Sequence, residues 1–390
     1  MPLQDMLTRI SKILVLSYAI DWIFIIGIAL IGYGFSKIDP NQHPFSLTDE
    51  TISFPYKENE TVSNAALVLA GLLAPAAIIL LITLLLIPGS ATEGNNNNKS
   101  RPGSRVSLLQ TLARRIWELN AGWMGLAVSL AGCWMATQGL KDLVGRPRPD
   151  LLARCDPNLN SIEENLVGGL GVAGAPLIVS LDICRDQSSR LRVDGFSSFP
   201  SGHSSFAFSG LAYLTLWFCA KFSIGFPYLS YFPSEGETHS DDRTSVRTRG
   251  AAPPVLMMIF ALVPIAVASF IAASRWADCR HHGFDIIFGS GLGIAFSYIG
   301  FRMYHMPIQR GGGWAWGPRA RHRAFIRGIG FPSSLGTDSW SYVSKAEMGD
   351  GNVNGGSSEF RDAHDSGYAE RDVESIPMDG RGFHGVGERV

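Results

Sequence analysis

The sequence predicts an all-α polytopic membrane protein: six transmembrane helices in a bundle, followed by a disordered C-terminal tail. Three observations carry this. Apolar runs recur at lengths that suit a bilayer, the polar loops between them differ in charge, and the last stretch is polar without apolar periodicity. Crossing a hydrocarbon core of about 30 Å takes about 20 mostly apolar residues. Runs of this kind fall at about 13–35, 65–87, 121–140, 203–221, 254–273 and 284–301, which gives a membrane domain over 1–303 and a cytosolic tail over 304–390.

The run at 13–35 is longer than the apolar part of a cleaved leader, carries Asp21, and lacks a small-x-small cleavage site. It reads as a retained helix that also targets the chain to the secretory membrane system. A carboxylate is costly in lipid, so Asp21 should face the bundle or water and hold a structural hydrogen bond. The second and fifth runs contain Pro75 and Pro264, each a candidate kink. The fourth and sixth are shorter and rich in Gly and Ser, as expected of helices packed among neighbours. Cys133 and Cys219 fall within helices as packing residues, and Cys279 has no evident partner.

Charge supplies the orientation. Lys and Arg number 33 against 34 Asp and Glu, a net charge of -1, so the chain has no basic footprint for nucleic acid. Short loops rich in Lys and Arg stay cytoplasmic. Arg9 and Lys12 precede the first helix. Lys99, Arg101, Arg105, Arg114 and Arg115 follow the second, and Arg302, Arg310, Arg319, Arg321 and Arg323 follow the sixth. The loop 38–64 instead carries Asp39, Asp49, Glu50, Glu58 and Glu60 against Lys57. Both termini are therefore expected in the cytosol, with loops 38–64, 141–202 and 274–283 on the lumenal or outer face.

Asn59-Glu60-Thr61 is a glycosylation sequon in an outside loop, whereas Asn98-Lys99-Ser100 lies inside and should stay unmodified. Cys155 and Cys184 share the large outside loop, where a disulfide can persist. A disulfide and two free thiols both remain open on the sequence. Gly169 to Gly174 matches a dinucleotide fingerprint, but no strand–helix–strand unit is expected around it, so it reads as loop. The tail is rich in Gly, Ser, Asp and Arg and reads as disordered, open to phosphorylation. Trp314 and Trp316 are expected on the lipid headgroups.

Three polar clusters sit at the outer ends of these helices. Lys141 is followed after six residues by Arg148-Pro149. Pro200-Ser201-Gly202-His203 opens the fourth helix. Ser274-Arg275 is followed after five residues by His281 and after three more by Asp285. The predicted topology places all three on one face. Lys141, Arg148 and Arg275 supply cations for the non-bridging oxygens of a phosphate ester. Ser201 and Gly202 suit a helix N-terminus that backbone and anion approach closely. Asp285, four residues beyond His281, can orient that imidazole and leave its other nitrogen free to attack, while His203 serves as proton donor. His282 has no spaced partner and reads as incidental. A zinc site is the chemical rival, but its ligands are few and crowded by cations.

The three clusters resemble, complete and in order, those of the lipid phosphate phosphatases of the type 2 phosphatidic acid phosphatase superfamily, of the fungal diacylglycerol pyrophosphate phosphatase and phosphatidate phosphatase type. The resemblance covers roughly 115–303. It implies a phosphatase that needs no metal or other cofactor and works through a phosphohistidine. His281 would be the nucleophile, oriented by Asp285, with His203 as general acid and then base. Lys141, Arg148, Ser201, Gly202 and Arg275 would hold the phosphate. It implies membrane lipid phosphates as substrates: phosphatidate, diacylglycerol pyrophosphate and lysophosphatidate. Sphingoid-base or polyprenyl phosphates, transfer to an alcohol in place of water, and a non-enzymatic transporter or lipid-binding protein are the alternatives. The expected location is a secretory, vacuolar or plasma membrane.

Overall fold

The computed structural model describes residues 12–86, 108–169, 175–222, 224, 254–308, 314–319 and 325. Six long helices run through the described residues: α1 Lys12–Phe35, α2 Asn64–Leu86, α3 Leu108–Val144, α4 Gly202–Lys221, α5 Val255–Ala277 and α6 Gly283–Tyr304. All but α4 are long and apolar enough to cross a membrane, and the chain is an integral membrane protein. The remaining helix, α4, is built for a different neighbourhood. It packs on α2, α3, α5 and α6, and nearly all its side chains are buried, Ser204, Ser205 and Ser209 among them. A helix surrounded by protein can carry hydroxyls and small residues that lipid would penalise.

Close backbone approach explains the glycines of this core. Pro75 has no N–H to give the Gly71 carbonyl, and the turn just before it, Leu69–Leu73, widens into a π-helix. That carbonyl lies against Gly210 of α4, where a Cβ would have no room. Gly293 of α6 likewise faces the Ser205 carbonyl, so α4 and α6 touch almost backbone to backbone.

The helix α3 starts at Leu108, well before the predicted 121. The charged residues assigned to a cytosolic loop are helical because they have partners. Glu118 takes Lys221 at 2.6 Å and the backbone N–H of Ala315 at 3.1 Å. The second partner lies beyond the predicted end of the membrane domain. Residues 314–319 pack on this end of the bundle: Arg319 pairs with Asp21 at 2.5 Å, and Trp117 donates to the Trp316 carbonyl at 2.9 Å. Trp314 lies under the Arg114 guanidinium, 3.9 Å from its ring centre. Two carboxylates, the partly buried Asp21 and the buried Glu118, thereby hold a segment that composition assigned to the tail. The Asn98 sequon and the remaining tail lie outside the described residues.

The opposite end carries a cap. Three short strands, β1 Phe45–Ser46, β2 Leu166–Gly169 and β3 Leu177–Val179, form an antiparallel sheet in the order β1-β3-β2. A strand thus does lead into the glycine run at 169–174, against expectation. Among the described residues the chain beyond it returns as the paired antiparallel strand β3, so no described helix completes the fingerprint. Phe45, Ile52, Leu151, Val179, Ile183, Leu191 and Phe196 make the apolar core of the cap. Cys155 and Cys184 are joined by a disulfide within it. Cys133 and Cys219 are buried thiols in α3 and α4.

Candidate active site

Helix direction brings the three clusters together. At the capped end α3 and α5 finish while α4 and α6 begin. Lys141 stands in the last turn of α3, and the chain turns at Gly145 in a left-handed conformation (φ 56°) to deliver Arg148. Any side chain at Gly145 would meet the backbone of Asn41. Ser201 is the N-cap of α4, its hydroxyl accepting from the Ser204 N–H. Gly202 follows, and its Cα lies against the Lys141 ammonium, at a place where a Cβ would come within 3.3 Å of Nζ. Among the described residues Lys141 has no hydrogen-bond or ion-pair partner.

Arg148 is buried and oriented by the cap. Its Nε donates to the Asp194 carbonyl at 2.7 Å, Nη2 to the Asp194 carboxylate at 2.6 Å and Nη1 to the Arg280 carbonyl at 3.2 Å. Asp194 also binds Arg154 at 2.6 Å. Burial pushes the Asp194 carboxyl up, but the two guanidiniums outweigh it and hold its pKa well below the usual carboxylate range.

Arg275 ends α5 and is 1% exposed. Its Nη2 reaches Asp278 at 3.0 Å and the Val62 carbonyl at 3.1 Å, and its Nη1 binds Glu60 at 2.7 Å. Asp278 is in turn held by Lys57 and by the backbone and hydroxyl of Thr61. His203 faces the same loop, with Nε2 at 3.2 Å from the Val62 carbonyl and 3.9 Å from Glu60. The loop 36–63 therefore enters the site. Its acidic composition pointed to a membrane side; nothing in its pattern singled out Glu60 or Val62. Arg280, also missed, spans Glu60 at 2.9 Å and Asp194 at 3.5 Å.

His281 departs from the expected arrangement. Its Nδ1 lies 2.6 Å from the Ser198 carbonyl, not on Asp285. A carbonyl only accepts, so Nδ1 carries the proton and Nε2 keeps its lone pair. Burial, followed by the Arg148 and Lys141 charges, pushes the His281 pKa well below the usual imidazole range, so the ring is neutral. Asp285 binds the Ser198 hydroxyl at 2.6 Å and Arg146 at 2.6 Å. The i, i+4 spacing puts both residues near each other, but His281 precedes the helix that begins at Gly283, so the two do not share a helical face. Asp285 is instead the third helical residue of α6 and forms a capping box with His282, the N-cap. His282, which looked incidental, is therefore part of the scaffold that holds Asp285.

The result is a neutral imidazole with a free Nε2, beside an unpartnered ammonium, a helix N-terminus and buried guanidiniums. Such a set can attack a phosphorus centre and hold the charge that develops on its oxygens. Among the described residues, no group of three or more His, Cys, Asp or Glu side chains is placed to hold a metal ion. Asn59 is exposed in the loop that carries Glu60.

Comparison with known proteins agrees with this chemistry. The family model described as the PAP2 superfamily matches residues 122–309. The probable diacylglycerol pyrophosphate phosphatase 1 of Schizosaccharomyces pombe is 30% identical over 290 residues, covering 74% of this chain and 82% of that protein. Diacylglycerol pyrophosphate phosphatase 1 of Saccharomyces cerevisiae is 28% identical over 292 residues, covering 74% and 80%. Lipid phosphate phosphatase 2 of Arabidopsis thaliana is 27% identical over 205 residues, covering 53% and 57%. No solved structure gives a significant match.

Proposed function

Because the chain belongs to the PAP2 superfamily, we propose that it is a membrane phosphatase for lipid phosphates that uses His281 as a covalent nucleophile. The substrates are phosphatidate, diacylglycerol pyrophosphate and lysophosphatidate, the class suggested by the names of its relatives. The observation that carries the reading is the hydrogen bond from His281 Nδ1 to the Ser198 carbonyl, which leaves Nε2 unprotonated among cations.

The reaction runs in two displacements. Nε2 of His281 attacks phosphorus, the bond from phosphorus to the leaving oxygen breaks, and His203 gives that oxygen a proton. Water then attacks the phosphohistidine, His203 takes a proton from it, and the phosphorus–nitrogen bond breaks to release inorganic phosphate. Lys141, Arg148 and Arg275 bind the non-bridging oxygens, with Ser201 and Gly202 presenting the start of α4. These cations supply the charge that a metal would otherwise bring, so activity needs no metal. The site opens on the lumenal or outer face, with both termini in the cytosol; the exposed Asn59 and the disulfide of the cap favour that side.

Phosphate release from phosphatidate in mixed micelles containing EDTA tests the reading, with His281→Ala beside the wild type. The wild type is expected to turn over and the variant to be inactive. Full activity in the variant sinks the nucleophile, and loss of wild-type activity to the chelator sinks metal independence. A mobility shift on enzymatic deglycosylation, absent from Asn59→Gln, tests the sidedness.

A further inference from the structure

The phosphate site already contains an anion of its own. Arg275 has three acceptors besides Glu60, and each is immobile: the neighbouring Ser274 hydroxyl, the Val62 carbonyl and the fully buried Asp278, itself held by Lys57 and Thr61. Glu60 differs. Its side chain is 29% exposed, and it binds Nη1 of Arg275 through one oxygen at 2.7 Å and Arg280 through the other at 2.9 Å. The oxygen on Arg275 is also the one 3.9 Å from His203 Nε2. A carboxylate oxygen thus stands between the guanidinium that would bind a non-bridging phosphoryl oxygen and the imidazole that would protonate the leaving oxygen.

We propose that Glu60 is a positioning residue that occupies the phosphoryl-oxygen place in the empty site, yields it to substrate, and then holds His203 in its protonated form. This rests on the phosphatase reading above. Arg280 makes the exchange feasible. It keeps one carboxylate oxygen of Glu60 while the other leaves Arg275, and its own Nε is buried without a partner among the described residues. The charges around His203 define the electrostatic effect: Arg275 from α5, Lys141 from α3 and Glu60 from the loop 36–63, with His281 nearby from the α5–α6 connection. Among the described residues Glu60 is the one anion in that set, and its charge adds to the Val62 carbonyl in favouring the imidazolium. Removing its charge has two consequences of opposite value. The competing anion is gone, so a phosphate analogue binds more tightly. The imidazolium loses its counter-charge, so the basic limb of kcat moves to lower pH.

The test uses the full chain in micelles, comparing wild type, Glu60→Gln and Glu60→Asp. Orthovanadate binding is read by its shift of the thermal midpoint as well as by inhibition, and kcat for phosphatidate is measured across pH. Glu60→Gln is expected to bind vanadate about tenfold tighter and to move the basic limb down by about one pH unit, the size of a neighbouring charge. Glu60→Asp keeps the wild-type pH limb. Wild-type vanadate affinity together with an unmoved limb in Glu60→Gln overturns the proposal, provided the variant's ligand-free midpoint shows it folded. If the wild type is active and only these comparisons fail, the role of Glu60 falls alone. If vanadate shifts the midpoint but the wild type releases no phosphate, the phosphatase reading falls instead.

Discussion

The imidazole of His281 and the backbone of Ser198 are joined by a 2.6 Å hydrogen bond, and the Ser198 hydroxyl is in turn bound by Asp285 at 2.6 Å. The carboxylate therefore acts on the imidazole through an intervening residue. It holds Ser198, which orients the ring through a backbone atom that no side-chain substitution removes.

Two substitutions separate these roles. Ser198→Ala keeps the carbonyl and loses the hydroxyl's links to Asp285 and His282. Asp285→Ala also frees Arg146, His282 and the first turn of α6. Small displacements of a reacting group cost up to about 100-fold in rate, so Asp285→Ala should approach that loss while Ser198→Ala stays within about tenfold. Steady-state kcat on phosphatidate checks it; equal losses would mean that the hydroxyl carries the whole effect of the carboxylate.

The buried neutral state of His281 has a consequence for stability. Its folded pKa lies below its unfolded value of about 6.5, so the unfolded chain binds the extra proton first. The neutral ring is accommodated fully above that pH, and stability is lost as pH falls below it. The thermal midpoint of the wild type should drop between about pH 6.5 and 5, and the drop should be smaller in His281→Asn. Parallel profiles would contradict the assignment.

Asp194 has the opposite chemistry and a lower window. Its folded pKa is depressed by Arg148 and Arg154, so its contribution is present above the unfolded value of about 3.9 and fades as pH falls through the folded one. Asp194→Asn should lower the midpoint at pH 7, and the gap to wild type should narrow below about pH 4. The side chain is 43% exposed, so added salt should shrink the gap as well.

The disulfide ties the cap that delivers Asp194 and Ser198. Bridges of this kind contribute about 2–4 kcal/mol. Cys155→Ser with Cys184→Ser should lower the midpoint and raise KM through the loosened Arg148, and a reductant should do the same to the wild type. An unchanged midpoint under reduction would show that the apolar core of Phe45, Val179 and Phe196 holds the cap unaided.

How much of this was legible depends on distance along the chain. The helices could be read because an apolar run of fixed length is a local property, and the clusters because each falls within a short stretch of consecutive residues at the helix ends. The spacing of His281 and Asp285 was read as one helical face, but α6 begins between them, and helix starts are set by caps such as His282 rather than by apolar pattern. Glu60, Val62 and Ser198 act through contacts spanning many residues or through backbone atoms, which carry no side-chain signature. The docking of Arg319 on Asp21 had half a signal: a carboxylate within an apolar run announces that it needs a partner, not which one. Short strands such as Phe45–Ser46 are too brief to leave a period-two pattern.

The central claim is that the reaction passes through a phosphate bonded to His281. The most direct measurement is quenching of the full chain in alkaline detergent during turnover of phosphatidate labelled in its phosphate, followed by mapping of the label at alkaline pH. The account predicts an acid-labile, base-stable label on the peptide containing His281, absent in His281→Ala. Label on another residue, or turnover by His281→Ala at the wild-type rate, would contradict it.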